Sequence, residues 1–353
     1  MTDISNEQKE QETLRNLTKN SIQKINENLY MVNYQNEYYL DELLNEGAKS
    51  QLEVKSFVEK KFGIKLDFNI EPTNKHNSCS SFNVYNQNNN NLLARNFDLP
   101  FLSPCFVVWT QPKTGYKSLS FVSGIYIGFS EGKEITDKIK DRILYSIFDI
   151  IDGINEAGLA LCIHRIKDTP SIHQNDPSKK NLTTSILMKG ALDYCKNVKE
   201  AIQFFNKYNL HDLVDGSSYH YLFVDAQGDS AIIEYIDNKM HIIKPYEIEK
   251  MKYLFLTNFF LLKPIGKGNE NGFDRYSIIK NNLNDNTKME ESEAMNLLNK
   301  VHKTSTIWSN VYNCNDLTVI TSLRQNYNVF YKFTLGNPNK CEIISKKNES
   351  DEK

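Results

Sequence analysis

The chain has 353 residues, 40% hydrophobic and 24% charged, enough for one large domain plus an extra segment, or for two domains. Forty-two basic residues stand against 44 acidic ones, and no basic stripe with interleaved aromatics occurs, so the footprint of a nucleic-acid binder is excluded. No run of about 18 apolar residues is present and no membrane span is expected; the six scattered cysteines have neither zinc-ligand spacing nor the density of a disulfide framework.

The first stretch, MTDISNEQKEQETLRNLTKN, is polar and lacks an apolar h-region, so the expected location is the cytoplasm, with reduced thiols. Residues 1 to about 28 are helix-permissive. In LDELLNEGAKSQLEVKSFVEKKFG, the positions Leu40, Leu43, Leu44, Leu52, Val54, Phe57 and Val58 suit two short amphipathic helices ended by Gly63. The polar, turn-rich FNIEPTNKHNS then runs into Cys79. Composition therefore sets a helical leader, residues 1–78, before a different kind of chain, residues 79–353.

From Cys79 the texture is that of strands. CSSFNVY and LLARNFD flank NQNNNN and read as a β-hairpin, because asparagine tolerates left-handed backbone. Strands are expected at Phe106–Thr110, Ser118–Val122 and Leu159–His164. Helices follow over LTTSILMKGALDYC and VKEAIQFFNKYN. Strands return in YHYLFVDAQGDSAIIEYIDNKMHII, with AQGD and DNK as turns, and YLFLTN is a short buried strand. FDRYSIIKNNL and MEESEAMNLLNKVH read as helices, the first with Asp274 as its cap, and the end is again strand-rich. Helix pairs between blocks of antiparallel strands point to sheets sandwiched by helices.

The chemistry concentrates around Cys79. Arg95 lies sixteen residues beyond it and Asp98 nineteen. Pairing of the two segments as a hairpin returns a cation and a carboxylate beside the thiol. A cysteine opening a strand, followed by RNFD at that spacing, resembles the choloylglycine hydrolase and penicillin V acylase family, linear amide C–N hydrolases of the N-terminal-nucleophile (Ntn) superfamily. Further relatives are acid ceramidase, the N-acylethanolamine acid amidase and the isopenicillin N acyltransferase. DGINEAGLAL resembles the family's D-G-x-N-E-x-G-L strand entry, FVDAQGDSAIIEY its D-A-x-G-x-S-x-x-x-E-Y hairpin, LTN at Asn258 its T-N motif, DRYSIIKNNL its Arg-led helix, and WSNVYN its late W-S-x-x-x-N strand. The ordered set spans about residues 79 to 335.

The resemblance implies a four-layer αββα sandwich of α+β class with an N-terminal helical propeptide, removed by self-cleavage before Cys79. A free thiol titrates near about 8.5 and an α-amino group near about 7.7–8.0. Once Cys79 is the first residue of a mature chain, its own amine can therefore act as base. Asp98 is expected to orient that amine, Arg95 to stabilise the thiolate, Asn258 to donate to a developing oxyanion, and Arg275 to support the centre. Relatives carry a second oxyanion donor, often an asparagine, just after the GLAL strand. Here Cys162-Ile163-His164-Arg165 stands instead, so a main-chain N–H at His164 or a pocket-lining role for His164 and Arg165 is expected. His220 reads as a core histidine.

No metal or nucleotide cofactor is implied. The expected partner is a small N-acylated amide substrate, and a homo-oligomer stays open. Nineteen Phe and nineteen Tyr can help line an acyl pocket, although core packing explains most of them. The rival readings are an acyltransferase with the same nucleophile and a non-catalytic binding protein on the same scaffold. A papain-like protease lacks its local pattern around Cys79.

Overall fold

The computed structural model describes residues 6–68, 78–212, 216–263 and 271–345. The leader runs α1 (Asn6–Asn20), β1 (Gln23–Asn26), β2 (Leu29–Tyr34), α2 (Leu40–Glu46) and α3 (Gln51–Phe62). Next come β3 (Ser80–Tyr85), β4 (Asn91–Asp98), β5 (Cys105–Thr110), β6 (Ser118–Ser123), α4 (Asp137–Ile143), β7 (Asp152–Asn155), β8 (Ala160–Lys167), β9 (Asn181–Thr183), α5 (Thr184–Tyr194) and α6 (Val198–Lys207). The remainder is β10 (Asn209–His211), β11 (Ser217–Val224), β12 (Ser230–Ile236), β13 (Lys239–Ile243), β14 (Phe255–Leu256), α7 (Phe273–Asn282), α8 (Glu291–Lys300), β15 (Thr306–Asn313), β16 (Thr318–Leu323), β17 (Val329–Thr334) and β18 (Glu342–Ser345).

Two large sheets form the body. The first is ordered β1-β2-β5-β6-β7-β8-β11-β12-β13, the second β14-β3-β4-β15-β16-β17-β18, and β9 and β10 make a small parallel pair. Strands β4, β5, β6 and β15 are buried at every position, as strands covered on both faces must be. Between the sheets Phe121 of β6 packs on Trp308 of β15 and on Phe333 of β17. Helices α5 and α6 cover the first sheet, and α7 and α8 cover the second. This is the expected αββα sandwich, with the polar centre described below between its sheets.

The leader differs from its sequence reading in two respects. Helices α2 and α3 bury Leu40, Leu43, Leu44, Val54, Phe57 and Val58 as expected, with Ser50 capping α3 through its side chain and Gly63 closing it at φ +62°. Leu52, however, is 71% exposed. The segment between α1 and α2 is a hairpin, not a helix: β2 (LYMVNY) is rich in aromatic and branched residues, pairs in parallel with β5, and is buried at all positions but Asn33. Leader and body thus share one sheet. Tyr34 donates to the carbonyl of Leu144 at 2.9 Å, Ala48 N to Asn181 O at 2.8 Å, and Gln51 to Asp149 at 2.9 Å. Most of the turn-rich stretch expected before Cys79, residues 69–77, lies outside the described residues.

Candidate active site

Cys79 sits immediately before β3, and β3 pairs with β4 in the register Ser80–Asn96, Ser81–Arg95 and Tyr85–Asn91. The connecting turn is built by Asn86, whose side-chain oxygen accepts from the N–H groups of Asn88 and Asn90, while Asn89 takes φ +63°. Alternation along β4 sends Asn96 outward, where it donates to Leu298 O of α8, and Arg95 inward.

Arg95 is fully buried. Its Nη2 lies 3.3 Å from Cys79 Sγ and 3.3 Å from Ile163 O, and its Nη1 lies 2.5 Å from Asp152 Oδ2. Asp152 in turn accepts from Trp308 Nε1 at 3.1 Å, from Asn310 Nδ2 at 2.9 Å and from the Tyr312 hydroxyl. Sequence reading did not single out Asp152. Its signals were the Asp of DGINEAGL and the alternating Trp308, Asn310 and Tyr312, which share one face of β15.

The other atoms of Cys79 are also held. Its N–H donates to Asn258 Oδ1 at 2.8 Å, and its carbonyl accepts from Arg275 Nη1. Arg275 Nη2 donates to the same Asn258 oxygen at 3.0 Å, and Asn258 Nδ2 donates to Arg165 O at 2.8 Å. Arg275 reaches back because Gly272 starts α7 at φ +87°; a Cβ there would collide with the Arg275 guanidinium. Gly272 is therefore the helix cap, and Asp274, expected as the cap, makes no capping hydrogen bond. Asp98 accepts from Thr306 at 2.6 Å and faces Arg275 at 3.9 Å, and its Oδ2 is buried without a hydrogen-bond partner among the described residues.

Burial pushes the Cys79 thiol up; Arg95 pulls it down and the Asp98 carboxylate pushes it up, and the net direction is upward. The thiol of this uncut chain is accordingly protonated at neutral pH. Burial also lifts Asp98 to about 6, against the opposing pull of Arg275 and Thr306.

The ladder with β7 ends at Cys162, and beyond it β8 keeps one main-chain bond on that side, from Ile163 N to Ile151 O at 3.3 Å. Its carbonyls at Ile163 and Arg165 accept there from Arg95 and Asn258. Main-chain groups alternate along a strand, which turns those of His164 toward its partner His220 on β11. The donor expected at the His164 main chain is therefore on the wrong side, and the N–H on the site side belongs to Arg165. The His164 ring is fully buried, with Nδ1 3.0 Å from Thr257 O, so it lines no open pocket. The Arg165 side chain points to the opposite face and donates from Nε to Ser217 at 2.7 Å. The remaining cysteines are free thiols, four of them buried and Cys341 half-buried. No three His, Cys, Asp or Glu among the described residues are placed to hold a metal ion.

Residues 143–340 match the sequence profile of the family described as acyl-coenzyme A:6-aminopenicillanic acid acyl-transferase. The chain belongs to that family. It is therefore an enzyme of the amidase and acylase class, on a scaffold of the choloylglycine hydrolase-like Ntn type. A mutant conjugated bile acid hydrolase from Clostridium perfringens shares the fold at 15% identity and a TM-score of 0.51, over 77% of this chain and 97% of that one. The penicillin V acylase from Agrobacterium tumefaciens aligns at 19% identity and a TM-score of 0.47, over 73% and 86% of the two chains. A Caenorhabditis elegans N-acylethanolamine-hydrolyzing acid amidase ortholog aligns at 12% and 0.45, over 67% and 93%. No curated protein sequence matches the chain. Among the described residues no helix is long and apolar enough to cross a membrane.

Proposed function

We propose that this family member is a self-processing cysteine amidase that hydrolyses the linear C–N bond of an N-acylated small molecule. One observation carries the reading: every polar atom of Cys79 is gripped by a different residue, Sγ by Arg95, N by Asn258 and O by Arg275. A structural cysteine needs no such enclosure. Cleavage of the Ser78–Cys79 bond consumes one water and frees the α-amino group. That amine takes the thiol proton, the thiolate attacks the amide carbon, and Asn258 and the N–H of Arg165 steady the developing oxyanion. The amine product leaves with the proton from the α-ammonium group, and a second water hydrolyses the thioester. The unpartnered Oδ2 of Asp98 supplies an acceptor for the new ammonium group.

The leader, residues 1–78, stays attached after the cut, because its departure would strip β2 from the first sheet and expose buried side chains worth roughly 1.5–3 kcal/mol each. Intact mass, read on denatured and native protein, tests both points. Cys79→Ala should remain one uncut chain and lose at least about a thousandfold in hydrolysis of an N-acyl amide panel. A full-length wild-type chain that hydrolyses amides overturns the reading. The family's own description favours acyl transfer to an amine as a second reading. Assays with and without an added amine separate the two by product.

A further inference from the structure

Three titratable side chains stand in a row across adjacent strands: His164 on β8, His220 on β11 and Glu234 on β12, with Cα partners His220–His164 and His220–Glu234. All three are fully buried. His220 presents Nε2 to Thr257 O at 2.9 Å and Nδ1 to Glu234 Oε1 at 3.1 Å, and His164 Nδ1 reaches the same carbonyl at 3.0 Å. A carbonyl only accepts, so both nitrogens facing it carry hydrogens. Glu234 also accepts from the N–H of Leu261 at 2.8 Å and of Leu262 at 3.3 Å. A space-filling core histidine needs one partner; here Nε2 meets the backbone of one segment directly and Nδ1 meets the carboxylate that holds the same segment further on. That segment contains Asn258. The residue before it is held by two imidazoles, and those three and four places after it by the carboxylate.

We propose that Glu234 and His220 are positioning residues for the amidase reaction, fixing the Asn258 side-chain amide by holding the backbone on both sides of it. This rests on the reading of Cys79 as nucleophile and Asn258 as oxyanion donor. The pair touches neither substrate nor sulfur. It acts through the Thr257 carbonyl, which sets the peptide plane from which Asn258 reaches Cys79 N and Arg275. Loss of an outer support of this kind costs on the order of 10–100-fold, as does a shift of about 1 Å in a catalytic group.

The test is steady-state kinetics of the cut full chain, on an N-acyl amide the wild type hydrolyses, for His220→Leu, His220→Gln and Glu234→Gln, with the uncut Cys79→Ala chain as control. His220→Leu is expected to lower kcat about 10–100-fold with KM held within about threefold, because an oxyanion donor acts in the transition state. His220→Gln keeps a donor for the Thr257 carbonyl and should recover most of that loss; Glu234→Gln should fall between. A folded His220→Leu enzyme with kcat within about threefold of wild type overturns the proposal, as does a loss that Gln does not relieve. Should His220→Leu fail to fold, Glu234→Gln decides: raised KM with unchanged kcat overturns it. Activity that survives Cys79→Ala instead removes the nucleophile reading, and this inference with it.

Discussion

Two buried ionic clusters, one joining leader to body and one around Cys79, are built from similar groups to opposite effect. In the first, Lys189 of α5 donates to Asp193, to Thr110 at 3.0 Å and to the Tyr38 hydroxyl at 3.2 Å, and that hydroxyl donates to Asp193 Oδ2 at 2.7 Å. All three ammonium hydrogens are used. In the second, Arg95 Nε, Asp98 Oδ2 and Arg275 Nε are buried with no hydrogen-bond partner among the described residues. Unmade hydrogen bonds in a low-dielectric interior cost about 1–3 kcal/mol each. A saturated cluster is a fastener; one with spare valence has room for further hydrogen bonds, which the proposed reaction would use for a freed amino group and a substrate.

The sharpest way to break the contrast is at the fastener. Lys189→Ala leaves Asp193 charged and buried without its cation, and should destabilise the chain by about 3–5 kcal/mol in denaturant titrations while leaving kcat per folded molecule unchanged. An equal loss of kcat would mean the two clusters are coupled.

The opposite outcome is expected at Asp98. Its folded titration point, about 6, lies above the unfolded carboxylate value of about 3.9, so the native state binds more protons between the two, and stability falls as pH rises through that window. In a Cys79→Ala background, Asp98→Asn should match its parent near pH 4 and exceed it by about 2–3 kcal/mol at pH 8. With Cys79 restored, hydrolysis should drop by about 10² or more. A pH-independent difference in stability would remove the argument.

The smallest effect is expected at Tyr38→Phe, which deletes the hydroxyl that accepts from Lys189 and donates to Asp193; denaturant titration should show a loss of about 1–2 kcal/mol. No loss would make the tyrosine a packing residue only.

Local pattern made part of this legible in the sequence. The Cys79 hairpin could be read because strand alternation and an asparagine turn are short-range signals, and they suffice to bring Arg95 back to the sulfur. The LYMVNY strand was missed because its parallel partner β5 lies more than 70 residues away, and a leader rich in polar residues hides one apolar stretch. Asp152 was missed as the anchor of Arg95 because its partners come from β4 and β15, two strands of the opposite sheet. His220 did prove buried, as read, but periodicity could not show that its ring sets Nε2 against the carbonyl before Asn258 and Nδ1 against Glu234. Asp274 lost the cap position to Gly272 because only a residue without a Cβ leaves room for Arg275.

Strand β2 has a further consequence if the Ser78–Cys79 bond is cut as proposed. The first sheet then holds strands from two separate polypeptides, so renaturation changes from a one-molecule to a two-molecule event. An intact chain recovers from heat at a rate independent of dilution, whereas the nicked form must regain its lost edge by collision. Maturation would thereby act as a ratchet: the enzyme is assembled once, in one piece, and afterwards persists through slow unfolding rather than through easy reassembly.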